Sequence, residues 1–135
     1  MRAIEFRGQN INGHWAHGNL AIIKEKLDRA EIGTYISNSA GAPFAYQVRP
    51  ETIGQYTGLK DKNGKKIFEG DIVNCKFFDR MVGDIAGVIN FIDCVWAVSD
   101  FKNKRLYQLI DVDNIEIIGN IHENPELMEG TVNEK

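Results

Sequence analysis

The sequence is poor in the residues that usually announce a site. It has only two cysteines, three prolines, three methionines and three histidines in 135 residues. Two cysteines 19 positions apart, Cys75 and Cys94, cannot form a Cys-x-x-Cys zinc or redox motif. They are expected to be reduced, each acting as a small hydrophobe. No apolar stretch follows the charged start Arg2, Glu5, Arg7, so a signal peptide is not expected. No run approaches the roughly 18 apolar residues that a membrane helix needs. Charge of one sign is also missing: 16 Lys+Arg stand against 19 Asp+Glu, a net charge of -3, which disfavours coating nucleic acid by bulk electrostatics. The expectation is a cytoplasmic protein with no membrane partner.

What is present is a strand-rich pattern. Hydrophobic residues make up 43% of the chain and charged residues 26%, an ordinary globular balance. Ile4 and Phe6 alternate with Glu5 and Arg7 ahead of a turn at Gly8–Gly13, and 15–23 returns as a second strand. Residues 24–31 read as a short helical or hairpin excursion, followed by a strand near 32–37 and a loop from Ser37 to Pro43. Beyond Val48, strands are expected at 72–78, 86–93, 95–101, 106–112 and 115–122. Their alternation places Val73, Cys75 and Phe77 inward, with Gly87, Ile89 and Phe91, then Cys94, Trp96 and Val98, then Leu106 and Ile110, then Ile115, Ile117 and Ile121. Asn124 and Pro125 read as the N-cap and first residue of a short terminal helix. Short strands at roughly ten-residue spacing indicate a mainly β fold, an antiparallel small barrel or pseudo-barrel whose C-terminal half is SH3-like. One domain is expected over 1–135: a β portion to about 57, a barrel portion over 58–123, and helix and tail from 124.

The densest signal is Pro50-Glu-Thr-Ile-Gly54-Gln-Tyr56-Thr-Gly58-Leu-Lys60-Asp61-Lys62-Asn-Gly64-Lys65-Lys66-Ile-Phe68-Glu-Gly70-Asp71-Ile-Val73. With Ile4–Arg7, Trp15, Gly18, Leu20 and the ending Ile118-Gly-Asn-Ile-His-Glu-Asn-Pro-Glu-Leu127, this run resembles the YopX-type proteins of phages and prophages. The resemblance covers about residues 2–128 and leaves 24–46 unmatched. It implies a mostly β fold and a phage or prophage origin in a bacterial host. It implies no activity, because that family has no established function, and so it supplies no catalytic residues.

Read from the residues alone, the central run is first of all architecture. Gly54, Gly58, Gly64 and Gly70 suit corners that need positive φ, and Asp61 and Asp71 can accept backbone N–H bonds there. The same segment is also basic and aromatic. Lys60, Lys62, Lys65 and Lys66, with Tyr56 and Phe68, would suit phosphate contact and base stacking on a small barrel. A solvated hairpin tip explains those lysines equally well. His14 and His17 would point to opposite faces of a strand, so no metal site is expected. The carboxylates Glu51, Glu69, Asp71, Glu116 and Glu123 have no nucleophile or base beside them. No cofactor loop is present. The leading expectation is a non-catalytic module that binds a phage or host protein, or itself. The alternatives are a nucleic-acid-binding barrel and, last, a small metal-dependent hydrolase.

Overall fold

A computed structural model of the chain describes residues 4–26, 31–37, 45–75, 85–101, 105–109 and 114–127. The chain divides into two compact units, residues 1–56 and 57–135. The mainly β, antiparallel expectation holds for both.

The first unit contains β1 (Phe6–Gln9), β2 (Trp15–Ile23), β3 (Gly33–Ser37), β4 (Ala45–Val48), a single 3-10 turn at Pro50–Thr52, and the start of β5 (Gly54–Lys60). The strand order is β4-β3-β2-β1-β5. Asn10 sets the first turn: its Oδ1 accepts the N–H groups of Asn12 and His14, each at 2.9 Å. Alternation along β2 puts Leu20 opposite Ile36, which in turn faces Tyr46. Ile36 is fully buried and Val48 nearly so. Val48 lies over Gly8, where a Cβ would come within 2.9 Å of its Cγ2. The chain then folds back onto β1. Arg49 N–H donates to the Gln9 carbonyl at 2.8 Å. The Thr52 hydroxyl accepts Gln9 N–H at 2.8 Å and donates to the Arg49 carbonyl at 2.7 Å. Gln9 and Thr52 can be buried because their polar groups are satisfied by each other, by Arg49 and, for the Gln9 amide, by the Gly13 carbonyl.

The second unit holds the rest of β5, then β6 (Lys66–Phe68), β7 (Asp71–Cys75), β8 (Ile85–Ile92), β9 (Val95–Asp100), β10 (Leu106–Gln108) and β11 (Ile115–Asn120). β6 pairs with β5, and a five-stranded sheet runs β10-β9-β8-β7-β11. Among the described residues no ladder joins β10 to β11. Over the described residues the sheet is therefore open, as a pseudo-barrel allows and a closed barrel does not. Its core is Ile67, Val73, Cys75, Ile85, Ile89, Val98, Leu109 and Ile115.

Several expectations are corrected. Residues 24–26 form neither helix nor strand, while 27–30, the loop 38–44 and the predicted strand ends at Phe77, Ile110 and Val112 lie outside the described residues. Phe91 shares the inward phase with Ile89 but is 54% exposed, because it sits at the end of the β8–β9 hairpin, past the core. Cys94 is exposed rather than core-facing, since it occupies the turn itself. Leu106 is exposed and Leu109 takes its place: β10 has only three residues, and Leu109 N–H then bonds to the Trp96 carbonyl at 2.9 Å. Asn124 does not cap the helix that opens at Glu126. Its side chain turns back instead, accepting Asn120 N–H at 3.1 Å.

The β8–β9 turn carries a stability prediction. Ile92 pairs with Val95, leaving Asp93 and Cys94 as a two-residue loop with φ of 51° and 67°. Both central residues are left-handed, the conformation in which Asp-Gly is favoured and cysteine is strained. Cys94→Gly is expected to raise stability by about 1 kcal/mol, read as a higher denaturant midpoint. Cys75 behaves oppositely. Burial, with the Asp100 carboxylate adding to it, pushes its thiol up to about 11. At mildly alkaline pH, a maleimide should modify Cys94 at once and Cys75 only on unfolding, which mass spectrometry of a pulse-labelled sample will show.

Candidate binding surfaces

The central motif forms two corners in the second unit, each built on a buried aspartate. At the first, Asp61 N–H donates to the Lys65 carbonyl at 2.8 Å and Gly64 N–H to the Asp61 carbonyl at 3.0 Å, closing the turn. Gly64 takes φ of 83°, which a side chain would resist. The Asp61 carboxylate accepts three backbone donors: Asn63 and Lys65 at 2.9 Å on Oδ1, and Ile117 at 3.0 Å on Oδ2. Lys62 N–H adds a bond to the Ile115 carbonyl at 3.0 Å. The hairpin tip is thus fastened to β11. Burial alone would raise the Asp61 pKa, but the three N–H donors and the Lys65 charge outweigh it and hold it below 3.8.

At the second corner Asp71, 2% exposed, accepts Phe68 N–H at 2.8 Å. Gly70, with φ of 90°, donates its N–H to the Ile89 carbonyl at 2.9 Å and accepts Ile121 N–H at 3.0 Å. The corner therefore joins β8 to the residue that follows β11. The other two glycines differ from the turn expectation. Gly54 opens β5 as a buried, extended residue opposite Arg7, and Gly58 has positive φ inside the same strand.

The predicted basic-aromatic surface divides. Lys60, Lys62, Lys65 and Lys66 are all exposed. Lys62 lies 3.6 Å from Glu116, a partly exposed pair of small energetic weight. Tyr56 and Phe68, however, are 8% and 3% exposed. Neither ring offers a face on which a base could stack.

Two further surfaces are assembled by the fold. In the first unit a hollow of about 480 Å³ is lined by Asn10, His14, Trp15, Ala16, His17 and Tyr46. His14 and His17 thus border one space, because His14 precedes β2 and belongs to the Asn10 turn. The Trp15 ring is steadied by the guanidinium of buried Arg7, whose Cζ lies 4.5 Å from the ring centroid. In the second unit the end of the β8–β9 hairpin is apolar on both faces. Phe91 and Trp96 meet edge to face at 4.9 Å on one, and Ile92 and Val95 pair on the other. Among the described residues, no group of three His, Cys, Asp or Glu side chains could hold a metal ion. No described helix is long and apolar enough to cross a membrane.

A family profile described as YopX protein matches residues 5–129. The chain belongs to the YopX family. No curated protein matches it. Its fold is similar to the crystal structure of protein EF1440 from Enterococcus faecalis, with 23% identity, a TM-score of 0.48, and coverage of 95% of this chain and 99% of that one. The YopX match includes both aspartate corners, the hollow and the apolar hairpin.

Proposed function

We propose that this YopX-family chain is a non-catalytic phage or prophage accessory protein that works in the bacterial cytoplasm by docking a protein, either a second copy or a phage or host protein. The observation that carries this reading is the apolar end of the β8–β9 hairpin. Phe91 and Val95 are 54% and 38% exposed on opposite faces of one two-stranded projection. Large exposed apolar side chains concentrated at one place support a contact surface better than a solvated one.

Light scattering across a concentration series tests the self-association arm, and affinity capture with defined phage and host proteins tests the other. Phe91→Ser combined with Val95→Ser should abolish dimerisation or capture while leaving circular dichroism unchanged. A strict monomer that retains no partner overturns the proposal, as does a complex indifferent to the double substitution.

The lysine hairpin supports a second reading, an anionic partner, through four exposed ammonium groups within seven residues. The buried Tyr56 and Phe68 leave it without stacking groups, and so it ranks below protein docking.

A further inference from the structure

We infer that the hollow of the first unit is a nucleotide-binding site, taking a heteroaromatic base whose phosphate adds negative charge. This goes beyond the docking reading and uses none of its residues. The volume, about 480 Å³, falls within the range of small-molecule pockets and exceeds what a single buried water needs.

Its lining has the composition of a base-recognition site. Trp15 and Tyr46, from β2 and β4, supply aromatic surface for a planar ring. Asn10, His14 and the Tyr46 hydroxyl supply donors and acceptors for the edge of a heterocycle. Among the described residues no carboxylate lines the space. A positive charge, the guanidinium of Arg7, lies 4.5 Å from the centroid of the Trp15 ring. An anionic ligand therefore meets no acidic side chain among the described lining residues.

The site is also held in shape before any ligand arrives, which lowers the ordering cost of binding. Asn10 Oδ1 is committed to the N–H groups of Asn12 and His14, which orients the amide and leaves its NH2 as donor. Asn10 N–H donates in turn to the His14 carbonyl at 2.9 Å. Trp15 pairs with Gln9, itself clamped by Thr52 and Arg49, and the buried Arg7 packs against its ring.

The test is calorimetric titration of the full chain with adenosine and cytidine monophosphates and, separately, with an eight-nucleotide single strand. Tryptophan fluorescence of Trp96→Phe, in which Trp15 is the sole indole, gives a second readout. Saturable binding is expected, weakened roughly tenfold by Tyr46→Ala and by His14→Ala, both exposed positions whose loss spares the fold. Binding of the mononucleotide alone assigns the site to a free nucleotide, and tighter binding of the oligomer assigns it to a single strand. Absence of saturable heat and quenching up to about 5 mM ligand overturns the inference. So does binding that survives both substitutions but is lost in Lys65→Glu with Lys66→Glu. Neither result bears on light scattering, so this inference and the docking reading can fail separately.

Discussion

Asp61→Ala is expected to lower stability by about 3–5 kcal/mol, because one buried carboxylate serves three backbone donors. Deleting it strands the N–H groups of Asn63, Lys65 and Ile117 together, and the Lys62–Ile115 bond loses its neighbour. For a chain of this size such a loss corresponds to roughly 10–20 °C in melting temperature. The effect should depend on pH in a defined direction. The carboxyl is held below its ordinary 3.8 in the folded state, so it binds protons more readily when unfolded. Its ionic contribution is therefore complete above the unfolded value and disappears as pH falls through the folded one. Melting curves of wild type and Asp61→Ala should converge as the solution is acidified through that window. Curves that stay parallel would show that the carboxylate's charge contributes nothing. An unchanged melting temperature near neutrality would remove the clamp altogether.

Gly87→Ala is expected to be as severe, for a steric reason. Gly87 lies in the middle of the second sheet, opposite Asp100 on β9 and Val73 on β7. A Cβ there would be driven into the carbonyl of Ser99 and would also come within 2.8 Å of Val98 Cγ1. The first obstacle is backbone, which cannot rotate away as a side-chain tip could. The β8–β9 pair must separate, and Ile89 and Val98 beside it are core residues. A loss of about 3 kcal/mol or more follows, at the high end for a single substitution. Equilibrium unfolding in urea measures it. A loss below about 1 kcal/mol would mean that the two strands pair less closely than described.

How much of this was legible in the sequence depends on the range over which each signal acts. The strands and the turns at Lys62–Gly64 and Gly70 were legible, because period-two alternation and short polar corners are local properties. The importance of Asp61 was only half legible. Its bonds to Asn63 and Lys65 are dictated by the turn, but its bond to Ile117 crosses 56 positions. Phe91 shows where alternation misleads: it gives the face of a strand but not where along the strand the core stops. Tyr56 and Phe68 show the converse, since aromatics among lysines look like a surface until burial is known. The hollow combined a visible pair, His14 and His17, with Asn10 and Tyr46, and Tyr46 lies in the stretch 24–46 that the family resemblance left unmatched. The Asn10-x-Asn-Gly13 turn was the one local sign that His14 leaves the strand phase.

The fastening of Gln9 by Thr52 has a consequence for how the protein is made. These partners are 43 residues apart, and Arg49 reaches the same strand across 40. During synthesis β1 leaves the ribosome before residues 49–52, and its polar edge finds no covering group until they have followed. Since closing long loops must precede the bonds that reward it, the first unit should assemble slowly and late in its own translation. Until then the nascent β1–β2 hairpin presents an unpaired edge, the form in which a chaperone or a neighbouring nascent chain would meet it.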